Sequence, residues 1–121
     1  METTTERCTR LAVALEDIVA QESAALAAGD YETVVGLQDR AGPVVEYLAA
    51  QAAEVARSPA LSERIGAIRA RRARTLEIIS HQAQHARAEL AETGAARRRV
   101  ARIAPVYGRA TAAVSQLQVV G

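Results

Sequence analysis

The sequence predicts an all-α fold: an antiparallel helical hairpin followed by a long third helix, packed as a coiled-coil-like three-helix bundle. A four-helix bundle is the alternative if the chain folds back at Gly94. Composition, spacing and punctuation lead there. The apolar half of the chain is almost entirely Ala, Val, Leu and Ile, with no Phe or Trp and only Tyr31, Tyr47 and Tyr107 as aromatics. Ala, Leu, Arg, Glu and Gln favour helix, whereas strands and sandwich cores recruit aromatics. At 121 residues the chain has room for one modest core, so residues 1–121 read as a single domain.

The first helix is expected over about 4–28, where Leu11, Leu15, Ile18, Ala25 and Leu26 recur at helical steps. Gly29 accepts the left-handed conformation common just past a helix end, and Asp30 can cap a second helix by accepting from its free backbone N–H groups. That second helix spans about 30–57, with Val34, Leu37, Ala41, Val44, Leu48, Ala52 and Val55 forming a three-four seam. Gly42-Pro43 interrupts the seam, and proline removes the bond to the Asp39 carbonyl, so a kink or break is expected there at about 3 kcal/mol. Ser58-Pro59 restarts the chain with a cap and a proline at the first helical position. The third helix is expected over about 59–103. Its seam runs through Leu61, Ile65, Ile68, Arg72, Thr75, Ile79, Ala83, Ala86, Leu90, Thr93, Arg97, Val100, Ala104 and Tyr107. Gly94 weakens this helix by about 1 kcal/mol without having to end it. Pro105 and Gly108 close it, leaving 104–121 as a tail.

Length then carries a functional expectation. A second helix of about 27 residues is about 40 Å long, while a third running to Ile103 exceeds about 60 Å. The stretch from Leu90 to Tyr107 therefore overhangs the hairpin with its apolar stripe uncovered, and such stripes seek protein partners. Arg72 and Arg97 fall on the seam, where an unpaired buried charge is costly, so each is expected at a groove edge or beyond the hairpin.

Chemistry finds little to work with. Glu77, His81, His85 and Glu89 share one helical face opposite Ile79, but no second element converges on them, and a solvated polar face is the simpler reading. The Arg69–Arg74 and Arg97–Arg102 clusters lack interleaved aromatics and a recognition-helix turn, and a net charge of +1 gives no broad field for nucleic acid. Cys8 has no partnered histidine, no serine lies in a nucleophile elbow, and the glycines form no phosphate loop. No enzyme, cofactor or metal is expected. The opening Met1–Arg10 stretch lacks the apolar core of a signal peptide, and no run of about 18 apolar residues follows. A lone cysteine adds no sign of an oxidising compartment, so a cytoplasmic protein without membrane insertion is expected.

One resemblance sharpens the partner class. Leu15-Glu-Asp-Ile-Val-Ala-Gln-Glu-Ser-Ala-Ala-Leu-Ala-Ala-Gly-Asp-Tyr31, followed by Val34, Val35, Leu37 and a basic Arg40, resembles the first hairpin of FlgN-type flagellar export chaperones. Val106-Tyr-Gly-Arg109 is similar to the ending of that family's last helix. Gly42-Pro43 departs from the family's continuous second helix. The resemblance implies a cytoplasmic type III export chaperone that keeps hook-filament junction subunits soluble, with the C-terminal helix as the client-binding element. Leu90, Val100, Ile103 and Tyr107 would then meet an amphipathic client helix, with Arg97 and Arg102 at the polar rim. The alternative is a self-associating coiled-coil module, a homo-oligomer whose stripe pairs with itself.

Overall fold

Thr3 opens the chain's first helix by accepting a hydrogen bond from the Glu6 backbone N–H at 3.1 Å, and α1 then runs over Thr4–Ala27. A computed structural model describes residues 1–90 and 94–120, and these contain five α-helices and no strand. Gly29 adopts φ +70, and Asp30 caps α2 (Tyr31–Ala50) by accepting from the Thr33 N–H, as the turn chemistry predicts. Helix α2 passes through Pro43 without a break. Pro43 and Asp39 are both exposed, so the carbonyl freed by the proline faces water. The interruption comes instead at Gln51 (φ −102, ψ 24), which divides the expected second helix into α2 and a short α3 (Ala52–Ala56). Ser58 caps α4 (Pro59–Ala88) by accepting from the Leu61 N–H at 3.3 Å, with Pro59 in its first turn.

The buried series of α4, from Leu61 through Ile65, Ile68, Arg72, Thr75, Ile79 and Ala83 to Ala86, matches the predicted seam residue for residue. Beyond Ala86 the expectation fails. Glu89 ends α4, and α5 occupies Gly94–Val120, so the single helix over 59–103 and the tail over 104–121 are both replaced. Residues 91–93, through which the longer helix was to pass, lie outside those described. The seam also changes phase: Ala96, Ile103, Val106, Ala110 and Leu117 are buried, while Arg97, Ala104 and Tyr107 face out. A connection between helices resets rotational phase, and this is why extrapolating the α4 register misplaced the α5 face. Pro105 and Gly108 sit inside α5 on its exposed side, where the lost backbone bond at Ala101 is open to solvent.

Two apolar clusters fix the chain directions. One gathers Cys8–Val19, Leu37–Leu48, Val55, Leu61–Ile68 and Leu117; the other gathers Leu26, Val34, Ile79–Ala86 and Ile103–Ala110. Helices α1 and α4 therefore run one way, and α2 and α5 the other. Helix α1 packs on α2 and α4, and α5 packs on the same two, giving a four-membered bundle in the cyclic order α1, α2, α5, α4. The neighbours α1–α4 and α2–α5 are parallel, and α3 carries the chain across one end to the diagonal position. Val55 plugs that end, and Thr5 donates to Glu54 at 3.2 Å beside it. With Leu117 fully buried, Leu117→Ala should cost about 2–5 kcal/mol in urea unfolding; an unchanged midpoint would detach the end of α5 from the core.

Candidate functional site

Between the two apolar clusters the bundle interior turns polar. Glu22 of α1 and Arg72 of α4 are buried at 2% and 4% exposure, with Arg72 Nη1 3.6 Å from Glu22 Oε1. That separation is within ion-pair reach and beyond hydrogen-bond reach, so neither atom has a hydrogen-bond partner. Burial pushes the Glu22 carboxyl above its ordinary range, against the opposing pull of Arg72, and burial likewise lowers Arg72 against the pull of Glu22. Gln38 of α2 joins the layer, donating from Nε2 to the Val106 carbonyl of α5 at 3.5 Å and leaving Oε1 unpartnered. Arg72 was expected at a groove edge. It is instead inside the bundle, made tolerable by Glu22, whose place between Ile18 and Leu26 on the α1 apolar series was the available signal.

On the outside, the first turn of α2 and the middle of α5 border a groove of about 740 Å³. Gly29, Asp30, Tyr31, Glu32 and Val35 form one wall, and Ala101, Arg102, Pro105 and Arg109 form the other. Arg102 places its guanidinium 5.9 Å from the centre of the Tyr31 ring, and the Tyr31 hydroxyl donates to Gln82 Oε1 at 2.8 Å. Arg109 Nε donates to Asp39 Oδ1 at 2.8 Å along the same edge. The groove is apolar at Val35, Ala101 and Pro105, acidic along α2 and basic along α5.

The six residues expected to form one exposed stripe are dispersed. Ile103 is in the core at 1% exposure, Val100 and Leu90 are partly buried, and Tyr107 is 39% exposed. Arg97 and Arg102 are exposed, and only Arg102 lines the groove. Among the described residues there is no overhang, because α5 packs against α2 and α4. Asp30, Tyr31, Glu32 and Val35, which the expected site omitted, become groove residues only when α5 is laid beside α2.

The other constellations stay peripheral. His85 Nε2 lies 2.7 Å from Glu89 Oε1 at the C-terminal end of α4, and Glu89 also accepts from Arg99 at 3.0 Å. Among the described residues no group of three or more His, Cys, Asp or Glu side chains is gathered to hold a metal ion. Cys8 is fully buried, and burial raises its thiol pKa, which disfavours the reactive thiolate. No described helix is long and apolar enough to cross a membrane. No protein-family model matches the sequence, and the comparisons with curated proteins and with solved structures found no match.

The buried pair yields a graded expectation. Glu22→Ala should destabilise by about 3–5 kcal/mol by stranding Arg72, whereas the paired change Glu22→Leu with Arg72→Met should be neutral or stabilising. Because the folded carboxyl holds its proton above the pH at which the unfolded one releases it, the Glu22 contribution to stability should fall as pH rises from the ordinary carboxylate range through its raised pKa. Chemical unfolding at a series of pH values should show that slope, and Glu22→Gln should flatten it.

Proposed function

We propose that the chain acts by binding a protein helix rather than by catalysis, and that it serves as a cytoplasmic flagellar type III export chaperone for hook-filament junction subunits. The observation that carries this reading is a convergence. Gly29-Asp30-Tyr31 closes one stretch resembling FlgN-type chaperones and Arg109 closes the other, and both line the same groove. Helix α5 remains the client-facing element, but the face it offers is Ala101, Arg102, Pro105 and Arg109 rather than the stripe through Ile103.

The groove suits an amphipathic segment. An apolar ridge can settle on Val35, Ala101 and Pro105, while carboxylates on its flank reach Arg102, whose guanidinium is exposed and has no carboxylate partner among the described residues. Arg and Tyr on such a rim are the residue types that dominate protein–protein affinity. The Tyr31 ring under Arg102 holds that guanidinium over the groove without neutralising it.

Calorimetric titration of purified hook-filament junction subunits should show saturable binding, weakened about tenfold or more by Arg102→Glu with the thermal midpoint unchanged. Full affinity in that variant would remove the groove from the reading. Failure of every junction subunit to bind the native chain would remove the flagellar assignment.

A further inference from the structure

The two halves of the chain carry opposite charge. Residues 1–57 contain ten acidic residues against four arginines, and residues 58–121 contain eleven arginines against four glutamates, for net charges of −6 and +7. The first half builds the α1–α2 hairpin and the second the α4–α5 hairpin. Every ion pair joining these hairpins among the described residues has the same polarity. Glu16 meets Arg64 at 3.1 Å, Glu22 meets Arg72 at 3.6 Å, and Asp39 meets Arg109 at 2.8 Å, with the acid always on the first hairpin. The bundle is thus an acidic hairpin docked into a basic one at three heights.

The link between them has an unusual feature. Gln51 breaks the helix within Ala49-Ala50-Gln51-Ala52-Ala53, a run of helix-favouring residues without Gly or Pro. Nothing local asks for the break; the reversal that returns α4 to its own α1–α2 hairpin does. If Gln51 takes helical geometry, α2 and α3 become one helix to Ala56, and α4–α5 swings away from its own acidic hairpin. Pro59 and the extended Ser58 keep the joint to α4 bent, so the straightening is confined to Gln51.

We propose that the hairpin interface is exchangeable, and that a second copy of this chain is the alternative occupant. In the exchanged dimer the acidic hairpin of each copy docks on the basic hairpin of the other, restoring between chains all three ion pairs and both apolar clusters except for Val55, which the straightened helix carries away. Short connectors held bent against local preference are the setting in which such exchange is cheap. The unpartnered polar atoms of Glu22 and Arg72, both within this interface, mean that parting the hairpins forfeits less there than a satisfied layer would. Each lobe of the dimer keeps an α2–α5 groove, so the inference stands apart from the client reading.

The test uses two full-length chains in a Cys8→Ala background, one carrying Glu16→Cys and the other Arg64→Cys, unfolded together in urea, refolded at high concentration and treated with a short bismaleimide, whose span replaces that of the Glu16 and Arg64 side chains. Exchange predicts a dimer by light scattering in which the two chains are crosslinked to each other through the introduced cysteines of different copies, and no such link when folded monomers are simply mixed. Gln51→Gly, which fits the bent hinge and disfavours the straight one at two positions per dimer, should lower the dimerisation constant about tenfold. Monomer at every concentration, a dimer without the inter-chain link, or a dimer indifferent to Gln51→Gly each overturns the proposal.

Discussion

A carboxylate and a guanidinium shut inside a bundle of small aliphatic side chains constrain the rest of the molecule. Much of this interior is Ala, Val, Leu and Ile, residues of similar shape that could mesh at more than one height. Glu22 and Arg72 remove that freedom. Sliding α1 against α4 by two turns would leave each charge buried alone, at several kcal/mol per ion. The pair therefore favours one relative height of the two hairpins, and with it one registry of the apolar clusters above and below. Gln38 extends the same constraint to α5 by taking the Val106 carbonyl as its acceptor.

How much of this was legible in the sequence differs from one element to the next. The α1–α2 turn could be read from Gly29 and Asp30, because cap and turn chemistry are local. The α4 seam could be read through Ala86, Arg72 and Thr75 included, because a single helix keeps its phase. The fold-back before Gly94 could not be fixed, since a glycine there is compatible with both a weak helix and a reversal, and the α5 face was misplaced as a result. Pro105 misled for a related reason. Its cost depends on whether the orphaned carbonyl meets water, and exposure is a tertiary fact. The groove was half visible: Arg102 was singled out, whereas Asp30 and Tyr31 acquire a role only once α5 lies beside α2.

The break at Gln51 makes the opposite point about local preference. Ala-rich sequence on both sides favours an unbroken helix, and the expected second helix ran on to residue 57 accordingly. Burying Val55 and bringing α4 back alongside α1 outweigh the backbone bonds given up there. A tertiary demand and a local preference disagree at one residue, while the α1–α2 turn and the start of α4 show no such conflict.

The parallel pairing of α2 with α5 also has an electrical side. Both helices begin at the same end of the bundle, so the positive ends of their dipoles, each equivalent to about half an elementary charge, lie next to one another. Asp30 and Glu32 offset this at the head of α2, whereas Arg97, Arg98 and Arg102 add to it along the first turns of α5, Arg99 being paired with Glu89. The α5 side of the groove mouth is therefore a local electropositive spot on a nearly neutral molecule, reaching outward about 8–10 Å before salt extinguishes it. An acidic segment arriving from solution would be drawn to that mouth before any apolar contact is made.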